Sequence, residues 1–543
     1  MADLTEQTIL DRFDRATERV SAVKAQATDE EISGDLAEAG KQLRIPEESP
    51  SEPQKPFAGD PPRWLIFLIC AAALLATAAF AVFAFERLPH LEDEVAYLFQ
   101  ARTMAMGRLT VPSPAQPDSF WTPFVLDYNG QRFGKYTPGW PAMLALGARV
   151  HAAWLVNPLL AACALYLVYR LGQTLYDKRT GLLAAALGLF SPLFLVLGGS
   201  FLSHIASMVW LLLFSLWFIW AVRGRSRWFA LGAGLALGAA FLVRPLTAAA
   251  WAAPFALYAL VQLIRGRPAR PPYLLMAAGA MAMAAILPLY QWAVTGDPLL
   301  NPYTLWWPYD RVGFGPGFGA MPGGHSFHYA WLNLKQDLTN AATDVLGWPM
   351  LSWLPMGLGL ALAPRRRRDW ALLAPFACLV IAYLFYWIGS PSRLWGPRYY
   401  FEGFAGLWLL GAVGLVKAWD WAGARARWVR IAGIGAAACL LAANLFLLIP
   451  ARGQEAHGFY GISRAQYQPI LDADLHNALV IVYADRWLEY GAMLGEMSPT
   501  LDDDVVYARG SDPETDAAVI TQNPGRAVYY LAKGRLYTTY PPP

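Results

Sequence analysis

The chain has 543 residues, of which 56% are hydrophobic and only 15% are charged. This composition excludes an ordinary soluble globular protein, in which about a quarter of the residues are charged. Because long apolar runs recur along most of the chain, we expect an all-α polytopic membrane protein. The net charge of +3 is small, and no nucleic-acid partner is expected.

The first 62 residues are polar, carry both signs of charge and end in a stretch rich in Pro, Ser and Glu. A short apolar core followed by small residues, which would mark a signal peptide, does not occur among them. Such a composition favours a solvated chain over a packed core. We therefore predict a largely flexible cytoplasmic tail over residues 1–62.

Residues 63–450 hold the predicted transmembrane domain, because a membrane-spanning helix needs about 20 apolar residues. Eleven apolar runs approach this length, at residues 64–85, 154–176, 180–199, 201–222, 227–244, 245–264, 273–294, 344–362, 370–389, 398–419 and 428–450. The apolar segment 138–150 is too short, and counting it as a span would place most basic connections on the wrong side. We predict that it forms a juxtamembrane or half-inserted helix.

Lysine and arginine residues mark one side of this arrangement. If the eleven runs alternate in direction, the basic connections at 178–179, 223–227, 265–270, 365–368 and 425–430 all fall on the same side. Basic connections are typical of the cytoplasmic side, so we predict a multi-pass protein of the inner (plasma) membrane with a cytoplasmic N-terminus. The loops 86–137, 295–343 and 390–397 and the C-terminal region then lie outside.

The C-terminal region, residues 451–543, has a different pattern. Short runs typical of β-strands occur at 478–483, 505–507 and 527–531, and turn-like segments rich in Asp or in Asn, Pro and Gly separate them. These strands are interspersed with polar stretches. We therefore predict a small extracytoplasmic α/β domain.

Three acidic residues, Glu92, Asp93 and Glu94, follow closely on the first apolar run. Charge beside hydrocarbon is costly and usually marks function. On a helix Asp93 shares a face with Tyr97. Carboxylates crowded together bind protons more tightly than an isolated one, which suits a general base that acts on an acceptor hydroxyl. The alternative is a solvated helix start, whose acidic residues stabilise the helix dipole.

Several cations occupy predicted outer positions. Lys135 precedes the short apolar helix, Arg244 ends the fifth run, and Arg393 and Arg398 lie near the start of the tenth. As exceptions to the charge rule, these residues favour contact with a phosphate or pyrophosphate on a lipid carrier. Snorkelling of their side chains to the membrane interface is the alternative.

The histidines and cysteines give weaker indications. His204, at the start of the fourth run, either binds substrate or serves as a structural hydrogen-bonding group. His325 and His328 follow a glycine-rich outer loop at 310–319 that we interpret as a lid. All four cysteines lie inside apolar runs, and none belongs to a CxxC or Cys/His array. We therefore expect no disulfide framework, no metal site and no cofactor.

These motifs resemble those of the GT-C superfamily of membrane glycosyltransferases, in the branch of protein O-mannosyltransferases and lipid A aminoarabinose transferase. The resemblance covers about residues 64–450. The matching elements are Asp93-Glu94 with Tyr97, Ala101 and Gly107 in the first outer loop, Lys135-Tyr136-Thr137-Pro138 before the next apolar helix, and Arg398-Tyr399 at the start of a late span.

The resemblance implies a GT-C fold and an inverting sugar transfer from a polyprenyl-phosphate donor to an acceptor hydroxyl on the extracytoplasmic face. Asp93 would match the catalytic base, and Glu94 or Glu92 could share that role. Phosphate contacts would come from Lys135, Arg244 and Arg398. The expected site comprises catalytic Asp93 and Glu94 together with substrate-binding Glu92, Tyr97, Lys135, Tyr136, His204, Arg244, Arg393, Arg398 and Tyr399.

The sequence leaves the acceptor open among glycan, lipid and protein, and two other classes of function stay open as well. One is a transporter or flippase for lipid-linked sugars, and the other is a non-catalytic component of polymer assembly in the membrane. Transporters tend to place ionisable residues near the bilayer midplane. The interiors of the predicted spans are almost free of charge, which favours the enzyme.

Overall fold

The computed structural model describes residues 60–540, except 266–269, 363–366, 391, 424 and 426. The predicted N-terminal tail lies outside the described residues except for its last three positions. The described helices are α1 (Trp64–Ala79, continued by a π-helical turn, Phe80–Ala84), α2 (Glu92–Ala105), α3 (Gly139–Ala148), α4 (Val156–Leu175), α5 (Lys178–Leu189), α6 (Pro192–Gly199), α7 (His204–Val222), α8 (Arg227–Val243), α9 (Pro245–Ile264), α10 (Arg270–Ala284), α11 (Ile286–Thr295), α12 (Pro302–Trp306), α13 (Phe327–Asp344), α14 (Trp353–Leu362), α15 (Arg367–Leu384), α16 (Phe404–Gly423), α17 (Arg427–Ala443), α18 (Ile449–Ala456), α19 (Gln468–Asp472), α20 (Gly491–Leu494) and α21 (Pro513–Gln522).

Within the described residues, seven helical segments are long and apolar enough to cross a membrane, and eight if the bent pair α5–α6 forms one span. Three further apolar helices are shorter, namely α8, α14 and residues Asp369–Leu384 of α15. A helix therefore lies at the position of each of the eleven predicted runs. The high apolar content predicts these helices well, whereas the lengths of several of them differ from the prediction.

Two of the predicted spans differ from the observed helices. Residues 345–352 are not helical, because Gly347 and Met350 adopt left-handed backbone conformations (φ 69° and 57°). The predicted run 180–199 is broken by a 67° bend between α5 and α6. At this bend Ser191 caps α6 by accepting a hydrogen bond from the Phe194 N–H (3.4 Å). Pro192 then begins α6 at a position where its missing N–H costs nothing.

Connections that were predicted to share a side of the membrane contact one another. At the end with the basic connections, Arg223 donates a hydrogen bond to the carbonyl oxygen of Thr174 (3.0 Å). At the other end, the Trp140 indole donates to the carbonyl oxygen of Phe201 (2.7 Å). These contacts agree with the predicted alternation of the helices.

The short helix α3 packs closely against the end of α8. A Cβ atom placed on Gly139 would lie 2.5 Å from the Leu242 carbonyl carbon, so only glycine permits this approach. The contact holds the segment that carries Lys135 and Tyr136 beside Arg244, the residue that links α8 to α9. The predicted short helix at 138–150 is confirmed as a ten-residue helix.

The connection at residues 86–137 contains a small sheet that the sequence analysis did not predict. Strands β1 (Val111–Pro112), β2 (Val125–Tyr128) and β3 (Gln131–Gly134) are antiparallel in the order β1-β3-β2. Asn129 and Gly130 connect β2 to β3 with positive φ at both positions (50° and 72°), as a two-residue hairpin of type I′ requires. Lys135 follows β3 directly and is positioned by this hairpin.

The C-terminal region forms a four-stranded sheet of β4 (Ala478–Tyr483), β5 (Val505–Arg509), β6 (Ala527–Ala532) and β7 (Arg535–Tyr537) in the order β5-β4-β6-β7. Strand β4 is parallel to β5 and to β6, whereas β7 is antiparallel to β6. The three predicted strands are thus confirmed. Leu88 and Val95, which lie just before and within α2, share one apolar cluster with Ile462, Val480 and Met493, so the sheet region packs directly on the start of α2.

Candidate active site

Glu94 organises the start of α2. Its carboxylate is buried, and it accepts hydrogen bonds from the backbone N–H groups of His90 (2.7 Å), Leu91 (3.1 Å) and Phe201 (2.7 Å). Burial raises the pKa of Glu94 to about 7. Because both of its oxygens are engaged, Glu94 ties the acidic turn to the connection between α6 and α7.

Asp93 is half-buried and held by a tyrosine. The Tyr136 hydroxyl donates a hydrogen bond to Asp93 Oδ1 (2.6 Å). The Tyr136 ring also packs on the Tyr97 ring, with 4.4 Å between their centroids. Burial raises the pKa of Tyr136 well above its ordinary value, so the phenol remains a proton donor to Asp93.

Lys135 lies in a cage of aromatic rings instead of reaching into solvent. Its amine is 3.5 Å from the centroid of Phe124 and 4.7 Å from that of Trp307, with the rings of Tyr303 and Tyr136 slightly further away. Such faces attract a cation. Burial lowers the pKa of Lys135, and the nearby charge of Asp310 opposes this shift.

Asp310 is a partner of Lys135 that the sequence analysis did not identify. Its Oδ2 lies 3.5 Å from the Lys135 amine, and its Oδ1 accepts hydrogen bonds from the Tyr386 hydroxyl and the Trp387 indole (3.1 Å each). Asp310 therefore joins the connection at residues 86–137, the connection at residues 295–343 and the segment that follows α15. No local pattern connects two residues so far apart in the chain.

Arg244 is held in place by protein partners. Its guanidinium lies 3.2 Å from the carboxylate of Glu402 and donates hydrogen bonds to His204 Nε2 (2.8 Å) and to the Tyr383 hydroxyl (3.0 Å). Since arginine only donates, His204 Nε2 is the acceptor. Glu402 is fully buried and was not predicted. Its signal was a carboxylate one turn after Arg398 inside an apolar run, where charge is costly.

Arg398 has the opposite character. Its side chain is buried, and Nη2 donates a hydrogen bond to the Tyr399 hydroxyl (3.3 Å). Within the described residues, its Nε and Nη1 have no hydrogen-bond partner. Asp93 and Arg244 lie within electrostatic range of it. A buried guanidinium with two unused donors is suited to receive an anion.

All but one of the predicted site residues lie close together in the structure. Glu92 is half-buried within electrostatic range of Asp93 and Arg398, and burial raises its pKa. Arg393 is exposed, and its charge acts on Asp344, a residue paired with Arg452 (3.0 Å). The structure thus brings one group together and leaves Arg393 apart. The group comprises Glu92, Asp93, Glu94, Tyr97, Lys135, Tyr136, His204, Arg244, Arg398 and Tyr399.

A metal site is not found in the part of the chain that the structure describes, where no group of three or more His, Cys, Asp or Glu side chains could hold an ion. His325 Nε2 hydrogen-bonds with the carbonyl oxygen of Leu384 (2.9 Å), and His328 is exposed. His325 therefore anchors the glycine-rich loop to the end of α15.

Comparisons with known proteins agree with this fold. Residues 137–292 match the family model of dolichyl-phosphate-mannose-protein mannosyltransferase, whereas no curated protein matches the chain. The chain is similar to ArnT of Cupriavidus metallidurans bound to undecaprenyl phosphate, with a TM-score of 0.53 and 16% identity over 84% of this chain and 88% of ArnT.

Two further solved structures are similar. The apo state of the same ArnT gives a TM-score of 0.52 and 16% identity over 85% of this chain and 88% of ArnT. The apo oligosaccharyltransferase of Archaeoglobus fulgidus gives 0.46 and 15% identity over 80% of this chain and 63% of that one. The family match and the ArnT-like fold confirm the predicted resemblance to the GT-C superfamily of glycosyltransferases, and the apolar helices are those of a multi-pass membrane protein.

Proposed function

We propose that the protein is an inverting glycosyltransferase, which moves a sugar from a polyprenyl-phosphate donor to an acceptor hydroxyl on the extracytoplasmic face of the membrane. The observation that carries this proposal is the buried Arg398, which has two donor atoms without a partner in the described part of the chain and lies within electrostatic range of the Asp93 carboxylate. An anion site beside a fixed carboxylate suits a reaction with a phosphate leaving group. The undecaprenyl phosphate bound to the similarly folded ArnT supports a lipid-phosphate donor.

In the proposed reaction, the acceptor hydroxyl oxygen attacks the anomeric carbon of the donor sugar. The bond from that carbon to the phosphate oxygen breaks, and polyprenyl phosphate leaves with the electron pair. Asp93 takes the hydroxyl proton as general base. Attack from the side opposite the phosphate inverts the anomeric carbon, which places Asp93 and the phosphate-binding cations on opposite sides of the sugar.

The three cations have different roles in binding the phosphate. Arg398 contacts the phosphate directly, because its Nε and Nη1 find no partner among the described residues. Lys135 contributes its charge when the phosphate replaces Asp310 beside it. Arg244 adds positive charge from a fixed position, since Glu402, His204 and Tyr383 already hold its guanidinium.

We assign the base to Asp93 and not to Glu94. Both oxygens of Glu94 accept backbone hydrogen bonds, and its side chain is buried. Taking a proton from substrate would require these bonds to break. Glu94 therefore positions the turn from which Asp93 acts.

The test uses purified protein in nanodiscs, a panel of polyprenyl-phosphate sugars and a readout of donor turnover. Asp93→Asn should lower sugar transfer by about 10²–10⁴-fold, the usual contribution of a general base, while donor binding persists. Asp118→Asn is the matched control, because Asp118 is an exposed carboxylate in the same outer loop. Transfer at the unmodified rate by Asp93→Asn would contradict the base assignment, and transport of an unaltered donor into sealed vesicles would favour the flippase.

A further inference from the structure

We propose that Tyr460 and Trp487 of the C-terminal region, together with Glu92, form the acceptor subsite, and that the acceptor presents a polyhydroxylated sugar ring to it. This inference rests on the proposed function, because it identifies the second substrate of the same reaction. Its two aromatic residues lie far from the acidic turn in the chain, and neither belongs to the predicted site.

Trp487 follows the central strand of the C-terminal sheet. Strand β4 lies between β5 and β6 in the sheet. The chain therefore continues from β4 to β5 on one side and then crosses to β6 on the other side of β4. In open α/β sheets, ligands bind beyond the carboxyl ends of the strands at such a reversal. The half-buried Trp487 lies in the loop after β4, where it packs against the apolar cluster that includes Leu88 and Val95, which flank the Glu92 carboxylate in the chain.

Tyr460 reaches the same carboxylate from a second segment. Its side chain is 40% exposed, yet its backbone is left-handed (φ 58°, ψ 16°), a conformation that non-glycine residues rarely adopt. The Tyr460 ring packs on Phe459 with 4.3 Å between centroids, and Phe459 packs on the buried Trp395 (5.7 Å). This aromatic stack holds an exposed phenol within electrostatic range of Glu92.

Arg398 links this place to the proposed donor site. It is buried, and its Nε and Nη1 are unpaired within the described ranges of the chain. Its charge acts on Glu92 and on Tyr460, as does that of Asp93. A molecule that contacts Tyr460 and Glu92 therefore lies next to both the proposed base and the proposed phosphate site, where an acceptor must be.

The side chains favour a sugar over a hydrocarbon. A sugar ring has an apolar face of C–H groups and a rim of hydroxyl groups. Aromatic faces bind the apolar face of the sugar, while the Tyr460 hydroxyl and the Trp487 indole N–H remain available for hydrogen bonds. The Glu92 carboxylate accepts hydrogen bonds from the hydroxyl rim. A purely apolar acceptor would leave this carboxylate unpaired as water is displaced, which is unfavourable.

The experiment measures binding by saturation-transfer NMR, without donor and without turnover. The protein is placed in nanodiscs free of glycoside detergents, because such detergents carry sugars that would compete. The probes are a mixture of hexose and hexosamine trisaccharides, a Ser- and Thr-containing pentapeptide, and hexanol. Tyr460→Ala and Trp487→Ala should each weaken trisaccharide binding about tenfold, as is typical for the loss of a central aromatic contact.

Two controls separate this inference from the proposed function and from misfolding. Tyr540→Ala removes an exposed tyrosine of the same region outside the subsite and should bind trisaccharide normally. Trp487→Phe keeps a ring but loses the N–H, so it should retain most of the binding. The inference is overturned if the unmodified protein binds no trisaccharide, if it binds the peptide or hexanol in preference, or if the two alanine variants bind trisaccharide normally. The assay measures binding and needs no sugar transfer. Its result therefore tests the acceptor subsite even if the catalytic proposal is wrong.

Discussion

Arg244 and Arg398 have the same predicted role, but their surroundings differ. Arg398→Ala should reduce donor affinity by about tenfold or more, since a hydrogen bond to a charged group contributes about 1.5–3 kcal/mol. It should change the unfolding temperature little, because no carboxylate among the described residues loses a partner at hydrogen-bond distance. Donor titration and thermal unfolding of the same preparations give both values.

Arg244→Ala should instead destabilise the protein. It leaves the fully buried Glu402 without its partner at 3.2 Å, and breaking a buried ion pair on one side costs about 3–5 kcal/mol. The double variant Arg244→Ala, Glu402→Gln should recover part of the lost unfolding temperature. If Arg398→Ala proves as destabilising as Arg244→Ala, the distinction between the two arginines is wrong.

The buried Asp337 on α13 should make the stability of the protein depend on pH. Burial raises the pKa of Asp337 to about 7, while the positive charge of Arg398 opposes the shift. The unfolded chain has a value of about 4, so the folded state binds the proton more tightly. The resulting stability is present below pH 4 and is lost as the pH rises toward 7.

The unfolding temperature of Asp337→Asn, compared with that of the unmodified protein between pH 4 and 8, isolates this effect. The unmodified protein should lose stability relative to the variant as the pH rises to about 7, and the difference should then be constant. Other buried carboxyl groups such as Glu94 titrate in both proteins and cancel. A difference that is independent of pH over the whole range would exclude the raised pKa.

At the scale of the elements, the approach of α3 to α8 is a single contact with a large effect. A methyl group at Gly139 would lie 2.5 Å from the Leu242 carbonyl carbon, so Gly139→Ala should displace the segment carrying Lys135 and Tyr136. Donor affinity and turnover should both fall. Gly357→Ala is the control, because a methyl group at that helical position meets no atom within 4 Å of the described structure and should leave activity unchanged.

The same scale shows what a sequence can predict. The helices and the strands β4 to β6 follow from local patterns, because apolar length and alternation act over neighbouring residues. The break at Ser191-Pro192 had a local signal as well, since Pro cannot continue a preceding helix. The hairpin of β2 and β3 was missed because its strands are only four residues long.

The candidate site was accessible to sequence analysis only in part. Asp93, Lys135 and Arg398 stood out as charges beside apolar runs, and a family resemblance gave them a common role. Asp310 and Glu402 face these residues through contacts that depend on how distant segments pack. Arg244 and Arg398 likewise differ in the side chains that surround them in the folded protein. The spacing of residues in the chain does not reveal this difference.

For the whole molecule, the C-terminal sheet region and the membrane helices are joined through α2. Arg102 donates hydrogen bonds to the carbonyl oxygens of Met497 (2.8 Å) and Gly495. Arg102→Ala should lower the unfolding temperature and speed proteolysis of the C-terminal region, because the two carbonyl groups lose a charged donor. Arg535→Ala, which removes an exposed arginine from β7, should have neither effect, and equal sensitivity of the two variants would argue against this joint.

In the proposed reaction, the hydrogen bond from Tyr136 to Asp93 Oδ1 also favours one direction of attack. Because the phenol already uses one lone pair of that oxygen, Oδ2 is the less encumbered proton acceptor. The acceptor hydroxyl then approaches Asp93 from the Oδ2 side. Hydroxyl groups that point in different directions on the same acceptor are therefore not equivalent as nucleophiles. Regiochemistry would thus be set by a tyrosine that never touches the transferred sugar.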